Sequence, residues 1–524
     1  MPGILTRKRS TSFRNSSIAD SWGDFKGLRG GTAAQTHESD REACGRGFCD
    51  LLQSISSDRR PSLYVLHVLL PHVPWTFLPS GKRYTGNVRV VPGAEESGWR
   101  QDDWLANQAY QRYLLQLAYT DRELGLVLDR LHSAGLYDRA VVAVTADHGL
   151  SFRLGEPRRN VTRANLPDIA FVPLFVKLPH QRKGRIVDGY ARTIDILPTI
   201  ADAVNARLPW RLDGHSLLNR TLARDGQVSM DDTGGHPVTA PLSTLLAERK
   251  LALERQIAAF GTGSRELLYK IGPHPNLLGK EVRLLAVEPR GGVRVDLDEA
   301  DLLRTVDLDS DVVPAYVTGR LRGGSGSGEE LAVAVNGVIG ATTRTYDDAG
   351  AERFAALVPE RMFRSGSNDV EVFEVSGGQE QVVLERVRAS SSTLTIRKRG
   401  GKEVIEPGEG APLDVVEALK GEVRSATPGQ SVILSGWAAD VDAHRAADSV
   451  AVFLDGRSVL VSPVDVRDKG VEQRYGVRLA GFRLELPKRL LPEWGEGKRV
   501  RVFAIRGQAA SELRYQGGYL LSGR

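Results

Sequence analysis

The stretch VTADHGLSF, residues 144–152, places an aspartate and a histidine side by side between a run of small apolar residues and a glycine. The carboxylate of Asp147 and the imidazole of His148 are ligands that suit zinc or manganese better than calcium. Gly149 allows the backbone to turn tightly beside them. The pattern is equally compatible with Asp147 capping a following turn and His148 lying at the surface. The motif therefore indicates a metal site without excluding a structural role.

A second histidine follows another apolar run. His72, in PHVPW, comes one proline after LYVLHVLL at 63–70. Runs of this kind are typical of strands buried on both faces, as in a parallel sheet. AVVAVTA at 140–146 and VPLFVKLP at 172–179 have the same character. Functional groups collect at the carboxyl ends of such strands, where we expect His72 and the Asp-His pair.

Helices are predicted between and after these strands. Residues 102–134 have leucines at three- and four-residue steps, acidic caps at Asp102 and Asp103, and Gly135 at the end. Residues 193–204 form a further helix, with Pro198 in its first turn or at a kink. Strands alternating with helices favour an α/β fold with a mostly parallel sheet flanked by helices.

The pattern becomes all-β after about residue 275. LAVAVNGVIGATTRTY at 331–346 has alternating apolar residues around an Asn-Gly turn, and SVAVFLDGRSVLVSPV at 449–464 has the same layout around Asp-Gly. FAALVPERMF and FRLELPKRLL follow at similar spacing in the two regions, as do VEVFEV and VRVFAI. We interpret this order as a duplication of one β-sandwich-like module, with residues 398–412 as the linker.

The chain is thus predicted to contain four regions. They are an irregular or disordered segment at 1–50, an α/β domain at 51–270, and β-sandwich-like modules at 271–400 and 411–524.

Composition narrows the class of protein. The chain has 524 residues, a net charge of +5 and two cysteines. The arginines are scattered, so we expect no nucleic-acid partner. No apolar run reaches the ~18 residues that a membrane span needs, and the basic N-terminus lacks the apolar core of a secretory signal. Cys44 and Cys49 are interpreted as free thiols, with a disulfide as the alternative.

Together, TADHG, LPHVPW, RTIDILPTIADAV and DGHSLL resemble the sulfatase-like members of the alkaline phosphatase superfamily, over residues ~60–220. That group includes arylsulfatases and the phosphoethanolamine and phosphoglycerol transferases. The resemblance implies Asp147 and His148 as ligands of a divalent metal (Mn, Zn, Mg or Ca) and His72 as a catalytic residue at the sulfate or phosphate group. Arg153, after the DHG motif, is the candidate for substrate binding, with Arg158 and Arg159 beside it. The alternative is that these three arginines are solvated charges of a loop.

The same resemblance implies structural roles for Arg192, Asp195 and Pro198, which hold a helix beside the site. His215 in DGHSLL stands where an arginine is common, and we expect it in a surface loop.

One part of the family pattern is not found. Relatives begin with a strand that ends in acidic metal ligands, followed by a Cys, Ser or Thr nucleophile. Upstream of residue 60 this chain has no such apolar strand, and Cys44 lies outside the Cys-x-Pro-x-Arg pattern of sulfatases. We therefore expect an N-terminally truncated form whose metal is not necessarily retained. The alternative is a shortened paralogue used for binding.

The sequence thus predicts a metal-dependent hydrolase or transferase of sulfate or phosphate esters, inactive or impaired as this chain. Its substrate would be an anionic ester or an envelope glycan or lipid, and the resemblance suggests the cell membrane or envelope. The alternative is a non-catalytic glycan- or partner-binding protein on a degenerate sulfatase scaffold. The oligomeric state is not indicated.

Overall fold

The computed structural model describes residues 46–57, 61–85, 91–95, 97–187, 189–218, 226–348, 350–378, 381–389, 394–407, 411–427, 431–464, 466–487 and 500–515. They form two compact units. The first runs to His72 and includes Gly93–Tyr110 and Gln116–Gly261, and the second includes Val73–Pro92, Gln111–Leu115 and Thr262 onward. Of the helices described, none is both long and apolar enough for a membrane crossing.

The α-helices are α1 Arg46–Ser54, α2 Asp103–Ser133, α3 Leu166–Ala170, α4 Ile196–Ala203, α5 Leu242–Phe260, α6 Ala300–Arg304 and α7 Lys469–Tyr475. Short 3-10 helices span Tyr137–Arg139, Thr193–Asp195, Arg265–Tyr269, Pro275–Leu277, Val282–Leu284 and Glu360–Met362. The strands are β1 Arg83–Tyr84, β2 Val142–Thr145, β3 Leu174–Lys177, β4 Gln227–Asp231, β5 Pro237–Pro241, β6 Ala286–Leu297, β7 Thr305–Val306, β8 Val312–Val313, β9 Tyr316–Arg322, β10 Glu330–Val335, β11 Val338–Arg344, β12 Tyr346–Asp348, β13 Ala351–Leu357, β14 Gly366–Ser367, β15 Val370–Gly378, β16 Gln381–Ala389, β17 Leu394–Arg399, β18 Lys402–Pro407, β19 Leu413–Val415, β20 Lys420–Thr427, β21 Ser431–Asp440, β22 Arg445–Ala446, β23 Ser449–Leu454, β24 Arg457–Pro463, β25 Gly481–Pro487, β26 Val500–Arg506, β27 Ala509–Glu512 and β28 Arg514–Tyr515.

Helix α2 confirms the longest helical prediction. The side chain of Asp102 accepts a hydrogen bond from the backbone N–H of Leu105 at 3.1 Å, which caps the first turn. Gly135 follows the helix in the left-handed conformation, with a φ of 66°. Pro198 lies in the first turn of α4, where a missing N–H costs no helical hydrogen bond.

The prediction of a mostly parallel sheet is wrong for the described strands of the first unit. The strands β2 and β3, whose positions the sequence predicted, pair antiparallel, with Val142 opposite Lys177 and Thr145 opposite Leu174. Antiparallel neighbours need no crossover helix, and the five-residue α3 is the only α-helix described between these two strands. The strands β4 and β5 form a separate antiparallel pair.

The apolar run at 63–70 does not pair with any strand that the structure describes. Its residues alternate instead. Tyr64, Leu66, Val68 and Leu70 pack with helices α1 and α2 in one apolar cluster. Leu63, Val65 and Leu69 are 62–70% exposed. The expectation of a strand buried on both faces is therefore wrong, because only one face meets a packed layer here.

The segment predicted as irregular also needs correction at its end. Helix α1 begins at Arg46, before the expected boundary at residue 50, and Phe48 and Leu51 are buried in the same cluster. Cys49 is disulfide-bonded, so the interpretation as free thiols is wrong. Residues 1–45 lie outside the described residues.

The second unit is built from β-sheets. One sheet has the order β11-β10-β15-β16-β6-β9-β13-β12, and a closed barrel has the order β17-β18-β19-β27-β26-β23-β24. The prediction of a linker at 398–412 is wrong. Strands β17 and β18 form a hairpin in the barrel, with Arg399 opposite Lys402 across Gly400 and Gly401. Apolar and polar residues alternate in LTIRK and EVIEP, as is typical of strands. The two glycines and the charged residues around them suggested a linker instead.

Both predicted hairpin turns are confirmed. Asn336 and Gly337 have φ of 52° and 77°, and Asp455 and Gly456 have φ of 49° and 80°. Two consecutive residues with positive φ form the tight turn that matches the twist of the flanking strands. In each hairpin a bulge follows the same position, after Val333 in β10 and after Val452 in β23.

Candidate functional site

His72 lies at the end of the extended segment that packs on α2. Its backbone N–H donates to the carbonyl of Leu69 at 2.5 Å. The side chain of Gln116, from α2, donates to the carbonyl of His72 at 2.8 Å. Gln116 is only 1% exposed. The helix therefore fixes the backbone on which the His72 imidazole stands.

The DHG motif follows β2 directly, as predicted. The Oδ1 atom of Asp147 accepts a hydrogen bond from the backbone N–H of His148 at 2.9 Å. The N–H of Gly149 donates to the carbonyl of Ile169 in α3 at 2.7 Å. A Cβ at Gly149 would lie 2.0 Å from the carbonyl oxygen of Asp168. Gly149 is thus required by close backbone packing.

The loop after the motif returns beside the two histidines. The two ends of this loop are joined by a backbone hydrogen bond, in which the N–H of Ser151 donates to the carbonyl of Arg158 at 3.0 Å. Asn165, fully buried, donates through Nδ2 to the carbonyls of Pro157 and Asn160, each at 2.9 Å. The backbone on both sides of Arg159 is therefore held in place.

Arg159 joins His72 to His148. One terminal nitrogen of its guanidinium donates to Nε2 of His72 at 3.0 Å, and the other donates to Nε2 of His148 at 3.1 Å. The Nδ1 atom of His148 lies 2.8 Å from the carbonyl of Gly149. Because a carbonyl only accepts, Nδ1 carries the proton and Nε2 is free to accept from Arg159. Arg159 thus bridges the Nε2 atoms of the two histidines.

Arg153, the predicted substrate-binding residue, is engaged elsewhere. Its Nε donates to the Asp168 carboxylate at 2.7 Å, and the Asp168 side chain is 9% exposed. The pair neutralises both charges and ties the start of the loop to α3. Arg159 is the arginine that the loop presents to the histidines. Three arginines of this loop were candidates from the sequence. Because side chains in an irregular loop do not alternate with a fixed period, the sequence could not show which of the three faces the histidines.

The loop contains two adjacent arginines, Arg158 and Arg159. Among the described residues, no carboxylate forms an ion pair with Arg158 or Arg159, whereas Arg153 and Arg163 each have one. Burial lowers the pKa of Arg158, and the neighbouring charge of Arg159 lowers it further. Two adjacent cations without a carboxylate favour an anion at this place.

The two predicted metal ligands are adjacent residues of the DHG motif. Asp147 and His148 are close, with Oδ2 of Asp147 3.7 Å from Nε2 of His148. In the part of the chain described, no cluster of three or more His, Cys, Asp or Glu side chains is placed to hold a metal ion. Both ring nitrogens of His148 are already in hydrogen bonds. The described residues do not fit a resident divalent cation in this arrangement.

The RTIDILPT segment has the structural role expected of it. Asp195 is 3% exposed, and its carboxylate accepts from the N–H groups of Arg192 and His215 at 3.0 and 2.9 Å. Thr199 accepts from the N–H of Leu217 at 2.9 Å. These contacts fasten DGHSLL to α4. The side chain of His215 belongs to an exposed surface residue, as predicted.

Comparison with known proteins supports the motif-based resemblance. Residues 24–206 match the family model described as Sulfatase. The chain therefore contains a stretch that matches the sulfatase family, and one similar protein is described as a member of the alkaline phosphatase superfamily. The match begins at residue 24, inside the segment predicted as irregular.

Individual relatives match over short stretches. An ulvan-active sulfatase of Formosa agariphila is 25% identical over 175 residues, which cover 32% of this chain and 33% of the relative. The multifunctional alkaline phosphatase superfamily protein PehA of Trinickia caryophylli is 30% identical, covering 27% and 28%. Human arylsulfatase K is 32% identical, covering 20% and 19%. The chain thus spans about a third or less of each of these relatives.

Among solved structures, the phosphonate monoester hydrolase SpPMH from Silicibacter pomeroyi is similar to this chain, with 28% identity, 24% of this chain and 26% of that chain covered, and a TM-score of 0.21.

Proposed function

We propose that the sulfatase-family domain of this chain recognises the anionic head of sulfate or phosphate esters. One observation carries the proposal. The guanidinium of Arg159 hydrogen-bonds both His72 and His148, which come from distant parts of the sequence. A planar guanidinium presents five N–H donors and suits tetrahedral oxyanions. Its remaining donors, with the nearby charge of Arg158, supply the attraction.

Ester cleavage by this chain alone is expected to be poor. Covalent catalysis needs a nucleophile activated by a base or a metal. Among the described residues, no serine, threonine or cysteine side chain hydrogen-bonds His148 or Arg159. A divalent cation on Asp147 and His148 would require Arg159 to leave Nε2 of His148. We therefore propose that this chain binds the ester but is impaired in cleaving it with a metal.

Equilibrium dialysis with 4-nitrophenyl sulfate is expected to show that the full chain binds the ester but not 4-nitrophenol. Replacing His72 by Ala should weaken binding about tenfold, since a positioned charge-assisted contact is lost. The absorbance of released nitrophenolate, read in the same samples with Mn²⁺, Zn²⁺, Mg²⁺ or Ca²⁺, should stay at the buffer rate. Equal binding of the ester and the phenol would contradict recognition, and metal-dependent turnover would contradict the expected impairment.

The location and the β-sheet region are also matters of proposal. We propose that the chain acts at the cell membrane or envelope. The disulfide at Cys49 supports an oxidising compartment. We further propose that the second unit contains two duplicated accessory modules. Equivalent pairing supports this, since β10 pairs with β11 and β15, and β23 pairs with β24 and β26.

Glycan binding through Trp437, a tryptophan of strand β21, is not favoured. Trp437 is 8% exposed, stacks on Tyr475 with ring centroids 5.5 Å apart, and donates to Glu422 at 3.2 Å. An indole packed and hydrogen-bonded in this way presents no open face to a sugar.

A further inference from the structure

We propose that the oxyanion site works without a divalent cation, because Arg159 occupies the position at His148 that a cation would need. The ligand class is a tetrahedral sulfate or phosphate group, free or as the head of an ester. This inference rests on the proposed function and adds the means by which the anion is held.

The hydrogen bonds of His148 leave its ring without a free metal-binding nitrogen. A histidine binds a metal through the lone pair of an unprotonated ring nitrogen. The proton on Nδ1 points to the carbonyl of Gly149 at 2.8 Å, and the lone pair on Nε2 accepts from Arg159 at 3.1 Å. No lone pair of the ring is left for a cation while Arg159 stays in place.

The positive charges near Nε2 of His148 also disfavour a cation there. Arg159 brings a fixed positive charge against the same nitrogen, and Arg158 adds another one residue away. A dication at Nε2 would meet these charges, and among the described residues the nearby carboxylate that could offset them is that of Asp147. A dianion, in contrast, would neutralise the charges that no carboxylate among the described residues balances.

The geometry of the Arg159 guanidinium leaves donors for an anion. The contacts of Arg159 with the two imidazoles use one N–H on each terminal nitrogen. The second N–H on each of these nitrogens and the Nε–H remain as donors, and no other contact engages them in the described part of the chain. The histidines therefore orient the guanidinium, and its other donors meet the anion. Arg159 acts here as a binding residue, in the role that the sequence gave to Arg153.

Isothermal titration of the full chain, stripped of metal on a chelating resin, tests the inference. Sodium sulfate, sodium phosphate and 4-nitrophenyl sulfate are titrated separately, so that a site for the free anion is distinguished from a site for the ester. Sulfate and its ester are then titrated again with Mn²⁺ or Zn²⁺ present. We expect binding in metal-free buffer and no gain in affinity from either cation.

Variants identify the residue responsible. Arg159→Gln should lose about tenfold or more in oxyanion affinity, because hydrogen bonds to a charged partner are the stronger kind. Arg159→Lys keeps the positive charge but not the planar set of N–H donors. Its oxyanion affinity should therefore lie between that of the wild type and that of Arg159→Gln. Arg163→Gln is the matched control, since Arg163 lies in the same loop but pairs with Glu248 at 3.1 Å. Arg159→Gln also frees Nε2 of His148 and should bind Zn²⁺ more tightly than the wild type.

The outcomes separate the two claims. Oxyanion binding that appears only when Mn²⁺ or Zn²⁺ is added would overturn the metal-free site and leave ester recognition standing. Absence of binding under both conditions would overturn both. Equal affinity in Arg159→Gln and Arg163→Gln would show that Arg159 is not the binding residue.

Discussion

Gly149→Ala is expected to destabilise the first unit by about 2–4 kcal/mol, the sum of an overpacking cost and a lost buried hydrogen bond. The new Cβ would lie 2.0 Å from the carbonyl oxygen of Asp168 and 3.1 Å from the Cα of Ile169. Both obstacles are backbone, so the DHG loop must move away from α3. That movement breaks the hydrogen bond from Gly149 to Ile169 and separates His148 from Arg159. Urea unfolding followed by circular dichroism measures the loss.

Gly125→Ala is the matched control for this substitution. Gly125 lies within α2, and a Cβ there would meet no atom within 4 Å. Alanine is the better helix former by about 0.5–1 kcal/mol, so this variant should be slightly more stable than the wild type. Similar unfolding midpoints for Gly149→Ala and the wild type would show that the loop does not depend on its contact with α3.

Asp195→Ala is expected to cost about 2–4 kcal/mol at neutral pH, because the N–H groups of Arg192 and His215 would lose their buried acceptor. The substitution also leaves the Arg192 guanidinium, 3.2 Å from the carboxylate, without its partner. The attachment of DGHSLL to α4 would then rest on Thr199. Thermal or urea unfolding of the full chain gives the difference.

The effect of Asp195 should depend on pH. Burial by itself would raise the pKa of this carboxyl, but the hydrogen bonds from the N–H groups of His215 and Arg192, with the Arg192 guanidinium, outweigh it and lower the pKa. A depressed pKa in the folded state stabilises the protein above the unfolded pKa of about 4. That contribution is lost as pH falls through the folded value.

The wild type and Asp195→Ala should therefore differ most above about pH 5 and converge in acid. Asp213→Ala, at an exposed aspartate in the adjoining loop, should match the wild type at every pH. A stability difference for Asp195→Ala that is the same at pH 3 and pH 7 would show that the carboxylate charge is not what holds the segment.

Local sequence signals predicted local structure well. The leucine spacing and the Asp102 cap located α2, and Asn-Gly and Asp-Gly located the two hairpins. The spacing was less reliable for the buried face of α2. Leu117 is exposed, whereas Arg112, Gln116 and Glu123 are almost fully buried. Polar side chains that bond backbone groups, as Gln116 bonds His72, do not register in an apolar pattern.

Long-range features were harder to predict. An apolar run does not show the direction of its neighbour, and β2 and β3 are in fact antiparallel. The run at 63–70 is apolar on both faces, although only one face is packed. The same limit applies to the site. The sequence offered Arg153, Arg158 and Arg159 as candidates, but it could not show that Arg159 is the one that contacts His72 and His148.

His72, His148 and Arg159 together form the proposed oxyanion site. The most direct measurement is an anomalous difference map from a crystal soaked in selenate, a tetrahedral dianion that replaces sulfate and scatters anomalously. We expect a peak within hydrogen-bonding distance of the Arg159 guanidinium and beside both imidazoles. Selenate bound elsewhere, with Arg159 still against the histidines and no peak beside it, would show that these three residues do not form an oxyanion site.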